Sequence, residues 1–224
     1  MSVILLRLEG PMQSWGIGSR FTERTTELEP TKSGILGLIS SALGRSREES
    51  IEDLSRLKIV VRVDREGEVF YDFHTTLDVL KANFSGNITK SNLGNIISRR
   101  FYLADACFLV GIEGQNKDLM NKIINALKYP KWPLYLGRKS FLPSSPIFIN
   151  NQIIKESLIE FIKKYPWQGR HTDKTPTSLR IIFESNSDMG ESRLDHPISF
   201  KSRQFRSRNI STLFTPFDKL KQED

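Results

Sequence analysis

Three short stretches of the sequence place cations beside glycines, hydroxyl groups or an aromatic ring. Lys32 and Ser33 open an apolar stretch that is predicted to be helical, and the free N–H groups at a helix start attract anions. Residues 136–140 (LGRKS) combine a glycine with two cations and a hydroxyl, and residues 203–208 (RQFRSR) interleave arginines with a phenylalanine. This chemistry suits phosphates and stacked bases. The alternatives are an ordinary capped helix, a chance match and a solvated basic tail.

The Lys-Ser pair does not belong to an ATP-binding loop. A phosphate-binding loop of that class needs glycines six positions and one position before its lysine, and here those positions hold Thr26 and Thr31. The pair therefore predicts an anion-binding site at the start of a helix, and no nucleotide cofactor is expected.

The histidines offer one candidate for catalysis. No two of His74, His171 and His196 have the spacing of metal ligands, so no metal site is predicted. His74 could act with a tyrosine and a lysine as the acid–base groups of a metal-free ribonuclease. Its place between Phe73 and Thr75, within an apparent strand, is more typical of a structural histidine.

The positive charge is concentrated in three segments. The whole chain of 224 residues carries 33 basic and 26 acidic residues, a net charge of +7. Residues 79–104, 119–155 and 196–217 hold fourteen of the basic residues and no acidic residue, so the remainder is net acidic. If these segments meet in space they form one positive surface for a polyanion. If they do not, they are three separate solvated faces.

Several classes of protein are excluded. No apolar run approaches the ~20 residues that span a membrane, and the N-terminus lacks the features of a signal peptide. Cys107 is the only cysteine, which excludes a disulfide framework and a cysteine zinc site. Its apolar neighbours predict a buried, inert thiol. We therefore expect a cytoplasmic protein without a metal or another cofactor.

The elements that must position these residues follow from hydrophobic periodicity. An order close to the βαββαβ ferredoxin-like arrangement results, with a further short strand near Leu134. Residues 78–98, rich in Asn, Ser and Gly, are predicted to leave the compact body as a long excursion. The predicted strands are 3–8, 58–63, 69–75, 101–112 and 179–184; of these, 58–63 and 69–75 flank a turn at 64–67, and 101–112 is one continuous strand. The predicted helices are 33–43, 46–57, 118–128 and 156–165, and Thr31 or Ser33 is the expected N-cap of the first.

Read together, the motifs resemble the CasD family, the subtype I-E member of the fifth numbered Cas family in the RAMP superfamily of CRISPR-associated proteins. The blocks occur in family order over almost the whole chain, although residues 184–195 match less well. The matching blocks are GPMQSWG (10–16), PTKSGILGL (30–38), DFHT (72–75), YLADA (102–106), YLGRKS (135–140) and RQFRSR (203–208).

The resemblance implies an α+β fold with a ferredoxin-like (RRM-like) palm of residues 1–77 and 99–150. It also implies a thumb of residues 78–98 and a smaller, β-rich C-terminal part of residues 151–224. The expected function is that of a non-catalytic, RNA-binding Cascade subunit in antiviral defence, which caps the 5′ handle of the CRISPR RNA. Its expected partners are that RNA, the repeated backbone subunit and the large subunit that reads the PAM, with target DNA met only indirectly.

Most of the expected RNA contacts lie in the motif blocks. Gln13 and Trp15 would either touch bases or brace the site. The related subtype I-C family member cleaves repeat RNA itself, so a metal-independent endoribonuclease that uses His74 is the alternative function. The complete expected RNA-binding set is Gln13, Trp15, Lys32, Ser33, Arg100, Tyr102, Arg138, Lys139, Ser140, Arg203, Gln204, Arg206 and Arg208.

Overall fold

A computed structural model describes residues 2–18, 22–82, 85, 87–170, 172–185 and 190–217. These residues form two β-sheets and four helices. The helices are α1 (Lys32–Leu43), α2 (Glu52–Ser55), α3 (Lys117–Lys128) and α4 (Leu158–Lys164). The strands are β1 (Ser2–Glu9), β2 (Met12–Gln13), β3 (Glu23–Arg24), β4 (Lys58–Arg65), β5 (Glu68–Ala82), β6 (Ile88–Ala104), β7 (Cys107–Gly114), β8 (Phe148–Ile153), β9 (Ser178–Glu184), β10 (Glu191–Ser199) and β11 (Gln204–Pro216).

The main sheet has seven antiparallel strands in the order β10-β11-β9-β4-β7-β1-β8. Its central strands are apolar on both faces because helices cover both. Ile4 and Leu6 of β1 join the larger core with residues of α1 and α3. Val3 and Leu5, which point the other way, pack with α4 in a second core. The predicted buried first strand is therefore confirmed.

The fold is a mixed helix-and-strand architecture built on a large antiparallel sheet, as predicted. With the second sheet and the single turn α2 left aside, the elements from β1 to β8 occur along the chain as strand, helix, strand, strand, helix and strand: β1, α1, β4, β7, α3 and β8. The last strand is residues 148–153, and the short strand expected near Leu134 is absent from the described residues. The three C-terminal strands continue the main sheet beyond β4.

The second sheet is a long ribbon of β5 and β6, with β2 and β3 on the other edge of β6. The excursion predicted at residues 78–98 belongs to this ribbon: residues 88–98 form the first part of β6. Residues 83, 84 and 86 of that prediction lie outside the described residues.

Two further predictions about individual elements were wrong. Residues 101–112 are two strands in different sheets, because the chain turns at Asp105, whose φ is +58°. No glycine or proline marks this break in an otherwise apolar run. The helix expected at 46–57 is only the single turn of α2. In addition, β4 and β5 do not form the hairpin expected around residues 64–67: within the described residues β5 pairs with β6, and β4 pairs with β7 and β9.

The other helices and Cys107 match expectation. Helices α3 and α4 and strand β9 lie within two residues of their predicted bounds. Thr31 is the N-cap of α1. Cys107 is buried, and burial raises the pKa of its thiol to about 12, which keeps it protonated and inert. No helix within the described ranges has the length and apolar character needed to cross a bilayer.

Candidate nucleic-acid interface

The start of α1 rests on a buried tryptophan. Thr31 Oγ1 accepts a hydrogen bond from the Gly34 amide at 3.2 Å. A Cβ at position 34 would lie 2.7 Å from the Trp15 ring, so only glycine lets the helix pack this closely. Trp15 is 1% exposed, and its Nε1 donates to Gln13 Oε1 at 3.2 Å. The Gln13 amide also donates to two backbone carbonyls. The polar groups of Gln13 and Trp15 are thus buried and bonded within the chain.

A glycine turn forms the facing wall. Gly137 has a φ of +90°, and a Cβ there would lie 1.7 Å from the Ser14 carbonyl oxygen. This close approach holds Arg138 beside β6, where its guanidinium donates to the carbonyls of Arg100 at 3.3 Å and Phe101 at 2.8 Å. The glycine expected in the 136–140 motif is therefore required by the turn.

A cavity of about 410 Å³ opens between these walls. We call it the arginine groove and define it by Arg24, Arg47, Arg138, Ser33, Phe200 and Phe205. Arg24 and Arg47 are exposed, and Arg138 is half-buried. The groove therefore combines cations, a hydroxyl and two aromatic side chains at one place on the surface.

The positive charge of this region is not neutralised by ion pairs among the described residues. Arg24 of β3 lies opposite Arg100 of β6 in the sheet register. Burial and then the charges of Arg100 and Arg24 lower the pKa of Arg138, whereas Asp72 acts in the opposite direction. Among the described residues, no carboxylate forms an ion pair with Arg24, Arg47, Arg100 or Arg138. Such a cluster attracts a polyanion.

The basic segments contribute unequally to this region. Segment 79–104 provides Arg100 and Tyr102, and segment 119–155 provides Arg138 with the exposed Lys139 and Ser140 following it. Segment 196–217 contributes two phenylalanines to the lining. Its Arg203 and Gln204 are exposed at the turn between β10 and β11.

Two of the expected RNA contacts, Lys32 and Arg208, form ion pairs within the chain. Lys32 is 3% exposed, and its Nζ lies 3.1 Å from Glu184 Oε2. Asp195 accepts from the Lys32 amide at 2.8 Å and from Arg208 Nε at 2.6 Å. We call Lys32, Glu184, Asp195 and Arg208 the hairpin-anchoring cluster, because it ties β10 and β11 to the start of α1. The anion predicted at this helix start is a carboxylate of the chain itself.

Arg206 borders a second cavity, of about 570 Å³. Its lining includes Lys32, His196, Glu113 and Glu184, so acidic and basic groups alternate there. Burial, followed by the charges of Lys32 and Arg206, lowers the pKa of His196 to about 4, so this imidazole is neutral near pH 7. The mixed charge makes this cavity a poorer match for a polyanion than the arginine groove.

Sequence reasoning missed Arg24 and Arg47. Both have acidic neighbours, Glu23 beside Arg24 and Glu48 close to Arg47, so neither falls in an acid-free segment. Nothing local in the sequence distinguishes them from ordinary surface arginines. Only the fold brings them to the groove.

The candidate catalytic residue, His74, lies on the ribbon of the second sheet. His74 is exposed on β5, and its backbone carbonyl accepts from Ser98 Oγ at 3.5 Å. His171, the third histidine, lies outside the described residues. Within the described part of the chain, no group of three or more His, Cys, Asp or Glu side chains is arranged to hold a metal ion.

Comparison with known proteins identifies the family. The family model described as "CRISPR-associated protein (Cas_Cas5)" matches residues 3–211. The chain belongs to the Cas5 family. This Cas5-family chain is 28% identical over 221 residues to the CRISPR system Cascade subunit CasD of Escherichia coli (strain K12), with 92% of this chain and 93% of that protein covered.

Two solved structures share the fold of this Cas5-family chain. One, a "CRISPR RNA-guided surveillance complex", contains a chain of 32% identity that superposes with a TM-score of 0.80 over 97% of this chain and 92% of its own length. The other, a "Crystal structure of Cas protein", is 38% identical and has a TM-score of 0.74 over 96% and 95% of the two chains.

Proposed function

We propose that this Cas5-family chain is a non-catalytic, RNA-binding subunit of a type I-E Cascade complex that caps the 5′ handle of the CRISPR RNA. The observation that carries this is the arginine groove, where guanidinium groups without carboxylate partners face Phe200 and Phe205. Cations for phosphates beside rings for bases are the usual composition of single-stranded nucleic-acid sites.

The similar proteins support membership of a Cascade complex. The curated relative is a Cascade subunit and a structural relative is a chain of an RNA-guided surveillance complex. By that similarity the partners are CRISPR RNA, the repeated backbone subunit and the large PAM-reading subunit, and target DNA is met through them. The strand order β4-β7-β1-β8 supports a ferredoxin-like palm at residues 1–77 and 99–150. The thumb is then 78–98, and the C-terminal part is 151–224.

RNA binding by the groove has a measurable salt signature. If Arg24, Arg47, Arg100 and Arg138 each neutralise one phosphate of a single strand, log K falls with log salt at a slope of about −3. Lys139 and Arg203, both exposed, would make the slope steeper. Binding that is tight and indifferent to salt would contradict an arginine–phosphate interface.

The decisive experiment is co-expression with a CRISPR array and the other Cascade subunits, followed by sequencing of the RNA that co-purifies. We expect a defined 5′ handle with the wild-type chain and a marked loss of RNA with Arg24→Gln/Arg138→Gln. Arg56→Gln is the control, because Arg56 is exposed, pairs with Glu52 on α2 and does not line the groove. RNA of random sequence, or equal losses for both variants, would overturn the proposal.

A second candidate is a metal-independent endoribonuclease. It is favoured by the exposure of His74 on the β5–β6 ribbon that also carries Arg100. The purified chain would be incubated with repeat RNA in EDTA and the products resolved on a gel. Cleavage that disappears in His74→Ala supports this function, and the absence of cleavage removes it.

A further inference from the structure

One face of the β5–β6 ribbon continues the arginine groove. Phe70 lies opposite Tyr102, and Asp72 opposite Arg100, in an antiparallel register without a shift at these positions. Directly opposed residues, and residues two apart on a strand, point to the same face. Phe70, Asp72, Arg100 and Tyr102 therefore share one face, and Arg24 joins them from β3.

Phe70 is the exposed end of a supported series of rings. It is 47% exposed and stacks on Tyr102 with a centroid distance of 6.2 Å and an interplanar angle of 27°. Tyr102 in turn contacts Phe141 at 5.8 Å, and the Arg138 guanidinium lies 5.2 Å from the Phe141 ring centre. Phe70 is thus held from behind, while its solvent side can accept a nucleobase.

Asp72 is the unexpected residue on this face. Its carboxylate is exposed and opposite Arg100, yet Arg100 Nε donates to Ser98 Oγ at 3.1 Å instead. Asp72 forms no hydrogen bond or ion pair with the described residues. On a surface that binds phosphates, an unpaired carboxylate weakens attraction to the ligand. Its charge partly offsets the effect of Arg100 and Arg24 on Arg138, but its carboxylate oxygens remain available as hydrogen-bond acceptors.

A carboxylate suits a hydrogen-bond donor on the ligand. An ionised Asp only accepts hydrogen bonds, and the donors at base edges include the amino groups of cytosine, adenine and guanine. Residues two apart on a strand, such as Phe70 and Asp72, are separated by about 6.5 Å. This is roughly the distance from the centre of a base to an oxygen that accepts a hydrogen bond from its amino group.

We propose that Phe70 and Asp72 form a base-reading subsite beside the arginine groove. A base stacks on Phe70, and Asp72 accepts a hydrogen bond from the amino group on its Watson–Crick edge. Uracil carries an oxygen in place of the cytosine amino group, so a carboxylate placed at that position repels it; the one donor on this edge of uracil, N3–H, lies one ring position away. This inference rests on the proposed function, since the RNA backbone must already lie along the arginines.

The test compares two RNA 10-mers, oligocytidine and oligouridine, by fluorescence anisotropy with the full chain. Both are small pyrimidines: cytosine has an amino group at position 4 and an unprotonated N3, whereas uracil has an oxygen at position 4 and a proton on N3. Wild-type protein is expected to bind oligocytidine about tenfold more tightly. Asp72→Ala should bring this ratio close to one, mainly by improving the affinity for oligouridine.

Glu23→Ala is the matched control. Glu23 is an exposed carboxylate on β3 that pairs with Arg99 at 3.8 Å, on the other face of the same sheet, so it is matched to Asp72 in charge and exposure. Removing it changes the net charge by the same amount, so affinity for both RNAs should rise together while the ratio is preserved. Phe70→Leu tests the stacking partner, and it should weaken the binding of oligocytidine several-fold.

The outcomes separate this inference from the function on which it rests. Equal, salt-sensitive binding of both RNAs by the wild type would overturn the subsite and leave the arginine groove in place. If Asp72→Ala and Glu23→Ala raise both affinities equally, Asp72 acts only as a charge and the subsite is again overturned. If neither RNA binds, the proposed function fails as well.

Discussion

The arginine groove and the hairpin-anchoring cluster use the same kinds of cation in opposite ways. In the cluster, the side chains of Lys32 and Arg208 are 3% and 8% exposed and face carboxylates within hydrogen-bond distance. In the groove, Arg24 and Arg47 are exposed and have no carboxylate partner among the described residues. The two regions meet at the start of α1, where Lys32 turns to one and Ser33 to the other.

The difference lies in what compensates each charge. A buried cation is tolerated only with a partner, because desolvation is costly. An exposed one is solvated by water and can exchange that water for phosphate. Cations of the first kind stabilise the fold, and those of the second kind are available to a ligand. The predictions below test this division.

The largest effect is expected from Asp195→Ala in the hairpin-anchoring cluster. The Asp195 carboxylate is 1% exposed and accepts from the Lys32 amide and from Arg208. Its removal leaves the buried Arg208 guanidinium with only the more distant Glu184 carboxylate, at 3.9 Å, so the free energy of unfolding should fall by about 3–5 kcal/mol. Urea denaturation measures this change.

The control for Asp195→Ala is Glu48→Ala. The Lys201–Glu48 pair is exposed on both sides, so its loss should cost less than about 1 kcal/mol. Similar stabilities of the two variants would show that the cluster does not anchor the hairpin.

A smaller effect is expected from the titration of His196. Burial and the neighbouring cations lower its folded pKa from 6.5 to about 4. Below pH 6.5 the unfolded chain therefore binds a proton that the folded chain does not, so stability falls between pH 6.5 and 4. The contribution is at most about 3 kcal/mol.

Urea denaturation at pH 7, 5.5 and 4.5 checks this pH dependence. His196→Gln should lose stability less steeply as the pH falls, because it lacks the titrating group. Parallel pH profiles for the two proteins would contradict the lowered pKa.

The smallest effect is expected from single substitutions in the groove. Arg24→Gln and Arg138→Gln should each weaken RNA binding by about 1–2 kcal/mol and make the salt slope shallower by about 0.7. Because Arg24 is exposed and unpaired, its substitution should leave the unfolding free energy within about 0.5 kcal/mol of wild type.

Titrations of a labelled single-stranded RNA at several salt concentrations measure this effect, with Arg56→Gln as the control. If Arg24→Gln lowered stability as much as Asp195→Ala does, the distinction between the two regions would not hold.

Hydrophobic periodicity and caps were sufficient for most of the fold. β1, α1, α3, α4 and β9 were predicted because their apolar side chains recur with the period of their own element. The division at Asp105 was not predicted, because the apolar run continues through it and the turn uses a non-glycine residue with positive φ. Which strand pairs with which was likewise decided by contacts distant in sequence.

The motif blocks located the candidate site but not the role of each residue. The turn at 137–138 and the helix start at Ser33 do line the groove. Gln13 and Trp15 proved to be buried supports, since their polar groups are already bonded within the chain. Asp72 drew attention in the sequence only as part of a motif, because its unpaired state is a property of the folded surface.

The sequence by itself determined the family, the order of elements and a surplus of basic residues in three segments. It did so because motifs, periodicity and composition are local properties. Only the tertiary structure decided which cations are paired and which are free. The decisive contacts join residues such as Lys32 and Asp195, which are 163 positions apart. Burial and partner, rather than residue type, separate an arginine that holds the fold together from one that can hold RNA.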